Sequence, residues 1–135
     1  MASGYSGTPL VKKLTLRDGM RVWFDAMPEH VIDEIDEYAL ELIFVADPAE
    51  GIDAAHIFVT TRAALEAHLT ALRHQIAPEG QIWVSWPKKA AMVPTDITED
   101  TIREVCLPMG LVDTKVCAVD EVWSGLKLVI RKELR

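Results

Sequence analysis

Short apolar runs alternate with stretches of helical periodicity along this chain, and that alternation restricts the folds open to it. Apolar runs predict strands at residues 20–26, 40–46, 54–60 and 81–86. Apolar residues at helical spacing predict helices at 31–39, 62–76 and after an N-cap at Thr98. Two further segments alternate in polarity and predict a closing hairpin: 111–119 and 126–131. Strands that alternate with helices favour a mostly parallel sheet covered on both faces.

The length of 135 residues predicts one domain with its own hydrophobic core. Residues 1–18 read as an N-terminal arm followed by a short helical turn, in which Leu10, Val11, Leu14 and Leu16 pack on the body. Residues 19–135 form the α/β body. The predicted architecture is therefore a three-layer, Rossmann-like α/β domain whose mostly parallel sheet ends in an antiparallel hairpin.

The negative charge of the chain is confined to one segment. Nine of the 21 acidic residues fall between Pro28 and Asp53, and that window contains no lysine or arginine. The remainder of the chain is slightly basic, so the overall negative charge does not exclude an anionic partner. Nucleic acid binding is not expected, because no basic stripe carries interleaved aromatic residues. No apolar run suits a membrane span or a secretory signal, which predicts a cytoplasmic protein without membrane attachment.

The cysteine and histidine pattern predicts no metal site. Cys106 and Cys117 lack the paired spacing of zinc ligands and lie in apolar stretches, so we expect free thiols. His56 sits inside an apolar strand, and His68 and His74 do not share a helix face. No histidine stands beside a serine or cysteine in the sequence, although the fold can still bring such a pair together.

The loop Ser85-Trp86-Pro87-Lys88-Lys89 is the first candidate site. It follows a central strand, where open α/β sheets bind ligands. Two lysines beside an exposed indole would suit a phosphate or a nucleotide base. The arm residues Tyr5 and Ser6, followed by Lys12 and Lys13, are expected to fold over this site; a solvated loop and a structural arm are the alternative interpretations.

The turn of the predicted hairpin is the second candidate, with Asp120 and Trp123 as its site residues. Asp120 is expected either to orient Lys115 or Lys88 through an ion pair or to have a structural role in the turn. Together the two candidates predict an anion site formed by Trp86, Lys88, Lys89, Lys12, Tyr5, Ser6, Asp120 and Trp123.

Several strings of the sequence carry a resemblance. The segments SGYSGTPLVKKL (3–14), SWPKK (85–89), TDIT (95–98) and KVCAVDEVWSGLKLV (115–129) resemble a family of short bacterial proteins of unknown function. The order of elements is also similar to the C-terminal half of S-adenosylmethionine-dependent methyltransferases. In that fold a segment ALxPGGxLxV leads into the fifth strand, and here residues 77–80 with Leu72 and Ile82 stand in its place. The resemblance implies a methyltransferase-like fold but names no activity.

The chain departs from that fold where the methyl donor would bind. No glycine occurs between Met20 and Glu50, although glycine is what lets backbone N–H groups approach such a cofactor closely. Asp47 stands where an acid would grip a ribose, or it is an ordinary loop residue. We therefore expect no bound cofactor and no methyl transfer.

Three functions remain open on the sequence alone. The first is a non-catalytic domain that binds a small anion or nucleotide near the SWPKK loop. The second is a protein-interaction module, in which segment 28–53 faces a basic partner or the hairpin edge forms a homodimer. The third is an enzyme of unknown reaction that uses Lys88 or Asp120 in proton transfer.

Overall fold

The computed structural model describes residues 7–135, which form one six-stranded sheet with helices on both of its faces. Four α-helices are present in this part of the chain: α1 (Leu10–Lys13), α2 (Glu29–Glu37), α3 (Arg62–Gln75) and α4 (Glu99–Cys106). The strands are β1 (Arg21–Asp25), β2 (Ile43–Phe44), β3 (Ile52–Phe58), β4 (Ile76–Pro87), β5 (Leu111–Ala118) and β6 (Trp123–Ile130). The predicted arm residues Tyr5 and Ser6 lie outside the described residues.

The strands are ordered β2-β1-β3-β4-β6-β5 across the sheet. β2, β1, β3 and β4 run parallel to one another, whereas β6 is antiparallel to both β4 and β5. This arrangement confirms the predicted mostly parallel sheet with an antiparallel hairpin at its C-terminal end. It also places the ends of β1, β3 and β4 at one edge, together with the turn between β5 and β6.

The sheet separates two hydrophobic cores. The first core packs α3 and α4 against one face through residues such as Leu69, Ile102 and Val84. The second core packs α1 and α2 against the other face, with Leu14 and Val31 among its members. Residues alternate between the two faces along each strand, as the pleat requires, and the predicted three layers follow from this division.

Side-chain caps fix where two of the helices begin. Thr61 accepts a hydrogen bond from the Ala64 N–H at 3.2 Å at the start of α3. Thr98, the predicted N-cap of α4, forms a reciprocal capping box with Thr101. Such caps satisfy N–H groups that the first helical turn leaves without partners. α2 lacks one, because its N-cap is Pro28.

The predicted starts or lengths of three strands differ most from the structure. The second strand was expected at 40–46 but spans only Ile43–Phe44, because the chain turns at Ala39 (φ 59°) and only this short segment is in register with β1. The fourth strand begins at Ile76 rather than at residue 81. Residues 77–80 form an irregularity in its pairing with β3, opposite the single residue Asp53. β6 begins at Trp123, which the prediction had left in the turn.

Candidate ligand-binding site

A cavity of about 340 Å³ opens at the edge where the parallel strands end. Its walls are α1, the first turns of α2 and the β5–β6 turn at residues 118–122, with Thr8 at one side. The turn reaches this edge because Pro87 at the end of β4 pairs with Trp123 at the start of β6. The carboxyl edge of an open parallel sheet is where α/β domains bind ligands.

Asp120 holds the hairpin side of the cavity together. Its Oδ1 accepts hydrogen bonds from the backbone N–H groups of Val122 at 2.8 Å and Trp123 at 2.7 Å. Its Oδ2 lies 2.7 Å from Nε2 of His30, so the same carboxylate ties the start of α2 to the turn. His30 is therefore its side-chain partner instead of the expected Lys115 or Lys88, and the two backbone contacts give Asp120 a structural role in the turn.

Of the predicted lysines, those of the SWPKK loop lie beside the cavity rather than in it. The backbone N–H of Lys88 donates to the carbonyl of Val122 at 2.7 Å, which ties the loop to the hairpin. The side chain of Lys88 is half-buried and that of Lys89 is exposed, and neither lines the cavity. Lys12 is exposed on α1, whereas Lys13 lines the cavity and donates to the carbonyl of Ala118 at 3.3 Å.

The two tryptophans of the predicted site lie on opposite faces of the sheet. Trp86 is only 8% exposed and belongs to the first core, so the expectation of an exposed indole beside the lysines was wrong. The physical reason is that β4 continues to Pro87, which leaves Trp86 inside the strand and pointing at α3 and α4. Trp123 packs against the second core, edge-on to Phe58 with ring centroids 5.1 Å apart.

A histidine–serine pair that the sequence did not identify is buried on the face of the sheet that carries the second core. His56 on β3 and Ser85 on β4 are 29 residues apart, yet Nε2 and Oγ lie 2.7 Å from each other. The His56 ring stacks on Phe58 with centroids 4.5 Å apart, and burial lowers the pKa of His56 to about 3. Nδ1 of His56 has no hydrogen-bond partner among residues 7–135.

The pair is closed to reactants in this conformation. Ser85 has no exposed surface and His56 is 2% exposed. A neutral imidazole beside a hydroxyl has the composition of a nucleophile and its base, but a reacting group must also reach the oxygen. The one sequence signal was a histidine within an apolar strand; its serine partner depends on the register of β3 against β4.

Comparisons with known proteins identify the family and the fold. A family profile described as "Protein of unknown function (DUF3052)" matches residues 12–132. The chain belongs to this family. No curated protein sequence matches it.

Solved structures similar to this DUF3052 chain are methyltransferases and related proteins. The ribosomal protein L11 methylase from Lactobacillus delbrueckii subsp. bulgaricus has a TM-score of 0.57 and 8% identity, over 90% of this chain and 75% of that chain. Magnesium protoporphyrin IX methyltransferase from Synechocystis PCC 6803, solved with bound SAM, has a TM-score of 0.56 and 12% identity, over 90% of this chain and 74% of that chain. The fibrillarin pre-rRNA processing protein of Methanococcus jannaschii has a TM-score of 0.54 and 9% identity, over 92% of this chain and 69% of that chain. These identities show a shared fold and nothing further.

The loop that would hold a methyl donor does not fit one in this DUF3052 chain. β1 is followed by Ala26, which adopts a left-handed φ of 57° without being glycine, and by Met27, which is 8% exposed and fills the second core. Asp47 is exposed and its carboxylate accepts the Ala49 N–H at 2.9 Å, which caps the turn at 48–50. The loop after β1 therefore places the apolar side chain of Met27 beside the strand and lacks the glycines that let backbone N–H groups approach such a cofactor.

Residues 7–135 of the DUF3052 chain contain neither a candidate membrane span nor a candidate metal cluster. No helix in this range combines the length and the apolar composition needed to cross a bilayer. In the same range, no three His, Cys, Asp or Glu side chains come together in a way that could hold a metal ion. Cys106 and Cys117 are free thiols, the first buried and the second half-buried.

Proposed function

We propose that this chain is a non-catalytic domain that binds a small molecule with an amino group in the cavity beside Asp120. The observation that carries the proposal is the position of the cavity. It lies at the carboxyl edge of the parallel strands and between three separate elements, so a ligand there would contact α1, α2 and the hairpin together. Its volume of about 340 Å³ lies in the range of small-molecule sites.

The charge around the cavity favours a cationic group over an anionic one. Glu34, Asp120 and Glu121 all border the cavity. Within residues 7–135, Lys13 is the only lysine or arginine that lines it, and its amino group already donates to a backbone carbonyl. Three carboxylates against one lysine give the lining a net negative charge, which attracts an ammonium group; Glu34 and Glu121 are exposed to water, whereas Asp120 is half-buried.

Two observations support a binding role rather than catalysis. The carboxylate of Asp120 accepts three hydrogen bonds, two from the backbone and one from His30. These bonds engage the side chain that would otherwise be best placed for proton transfer. His56 and Ser85 lie beneath the surface, where a substrate does not reach them. The anion site predicted around Lys88 and Lys89 remains the competing hypothesis, because these lysines lie beside the same hairpin.

A thermal-shift screen with matched variants tests the proposal. The probes are short diamines and amino acids on one side, nucleotides and polyphosphate on the other, with S-adenosylmethionine as a third arm. A ligand at about one hundred times its Kd adds roughly 2.7 kcal/mol to the unfolding free energy. Amines are expected to stabilise the wild-type protein, and Glu34→Gln with Glu121→Gln is expected to remove that effect.

The control variants separate the two ligand classes. Asp33→Asn with Asp36→Asn removes two exposed charges from α2 that do not line the cavity, and it should leave amine binding unchanged. Stabilisation by nucleotides that is lost in Lys88→Ala with Lys89→Ala would contradict the amine and favour the anion. Stabilisation by S-adenosylmethionine would contradict our reading of the loop after β1.

A further inference from the structure

Within residues 7–135, no strand pairs with the outer side of β2. On its inner side, the N–H groups of Ile43 and Val45 donate to the carbonyls of Met20, just before β1, and of Val22 on β1, at 2.9 and 3.0 Å. Because successive residues of a strand direct their backbone groups to opposite sides, Phe44 directs its N–H and C=O away from β1.

Large apolar side chains are exposed along this open edge. Phe44 is 56% exposed and Ile43 is 48% exposed, although both belong to the sheet. Tyr38, at the end of α2 just before β2, is 41% exposed. The Phe44 ring touches only the outer part of the core, edge-on to Phe24 with centroids 5.6 Å apart. A strand laid beside β2 would bury Phe44 on one face of the sheet and Ile43 on the other.

The charges around the edge select the chemistry of that strand. Glu37, Glu41, Asp47 and Glu50 are exposed on the segments that flank β2, within the window that lacks lysine and arginine. Arg21 on β1 is half-buried and its guanidinium donates to the carbonyls of Gly51 and Glu50. A second copy of this chain would bring two acidic segments together, which like-charge repulsion disfavours.

The opposite edge of the sheet is built differently. β5 carries an irregularity between Asp113 and Lys115, and Lys115 is exposed along it. A bulge and an edge lysine are devices that discourage strand addition. β5 also exposes an apolar residue, Val116 (55%), but β2 exposes both Phe44 and Ile43 without a bulge or a lysine, which makes it the more open of the two edges despite its length of two residues.

We propose that the β2 edge docks an extended basic segment of a partner protein, which pairs with Phe44 and continues the sheet. Main-chain hydrogen bonds supply affinity in this mode of recognition, and alternate side chains supply specificity. Apolar residues of the partner cover Phe44 or Ile43, and its lysines or arginines face the surrounding carboxylates. This surface is separate from the cavity, so the two proposals stand or fall independently.

Fluorescence anisotropy with a labelled synthetic peptide of alternating lysine and valine tests this proposal. We expect the peptide to bind the full chain, to bind at least about tenfold more weakly to Phe44→Pro, and to weaken as salt rises. Proline removes the outward N–H of Phe44 and leaves the donors of Ile43 and Val45 in place. Phe44→Ser provides a second variant if the proline disturbs folding, and thermal melts report on folding in both cases.

Matched controls decide the outcome. Met92→Ser removes an apolar side chain that is 86% exposed elsewhere, and it should bind the peptide as the wild type does. A peptide of alternating glutamate and valine should bind at least about tenfold more weakly than the lysine peptide. Equal binding of both peptides, unchanged binding by both Phe44 variants, or no binding of the lysine peptide would overturn the proposal. A wild-type dimer that Phe44→Pro dissociates would assign the edge to a second copy and overturn it as well.

Discussion

Lowering the pH below neutrality should destabilise this chain through His56. The imidazole is 2% exposed, stacked on Phe58 and surrounded by apolar rings, so the folded protein has no means of solvating a positive charge there. Burial lowers its pKa from 6.5 to about 3. In the unfolded chain the same imidazole is solvated and takes up a proton near its ordinary pKa.

The sign and size of the effect follow from this difference. Above about pH 6.5 both states carry a neutral His56 and the group has no influence on stability. Below it the unfolded state binds a proton that the folded state refuses, so each pH unit costs about 1.4 kcal/mol down to the folded pKa. Between about pH 7 and pH 5 the expected loss is roughly 2 kcal/mol, a large part of the stability of a small domain.

Urea unfolding at several pH values measures this loss. The range is kept above about pH 5 because aspartate and glutamate begin to titrate below it. The chain has four histidines, so replacing His30, His68 and His74 with glutamine leaves His56 as the only one. In that background the free energy of unfolding should still fall by roughly 2 kcal/mol, and His56→Gln should remove the slope.

The comparison of slopes is what tests the reasoning, since His56→Gln also changes packing. A background protein whose stability is flat between about pH 7 and pH 5 would refute the statement that His56 stays neutral. An equal slope with and without His56 would refute its assignment to this residue. Proton resonances of His56 that titrate near pH 6.5 in the folded protein would refute the statement that burial lowers its pKa.

Three further predictions follow from single contacts. Thr98→Ala removes the capping box of α4 and should lower the unfolding free energy by about 1 kcal/mol in urea titrations. Trp83→Phe loses the indole N–H bond to the carbonyl of Leu14 and should cost about 1 kcal/mol plus the lost ring volume; that carbonyl keeps its bond from Gln81, so helix α1 should remain in place by circular dichroism. Burial raises the pKa of Cys106 to about 11, so its reaction with a disulfide reagent near pH 8 should require unfolding and accelerate with urea.

The order and type of the elements were predictable because each long element carries its own periodicity. The apolar stripe of α3, the cap at Thr98 and the buried run of β3 are all local signals. Boundaries failed where pairing decides them. β2 is as short as its register with β1, and β6 begins at Trp123 because that residue pairs with Pro87. The local pattern of apolar residues does not indicate either pairing register.

The cavity lies at the end of the sheet that the sequence indicated, but its lining differs from the predicted set of site residues. Of the predicted residues, Asp120 lines the cavity, whereas Trp86, Lys88, Lys89, Lys12 and Trp123 do not. Trp86 was misplaced because the predicted strand ended at that residue, whereas antiparallel pairing with Ser124 carries β4 to Pro87. His56 and Ser85 escaped notice because only the register of β3 and β4 brings them together.

The position of the cavity follows from what fills the remainder of this edge. In a parallel sheet the loops after the strands gather at one edge, and a ligand enters wherever the loops leave space. Here Met27 occupies the space after β1, and the SWPKK loop is tied to the hairpin through the Val122 carbonyl. The space that remains lies between α1, α2 and the turn, where Asp120 joins the last two. In a fold shared with methyltransferases, the cavity of this chain thus lies at the carboxyl ends of the strands but away from the loop that follows β1.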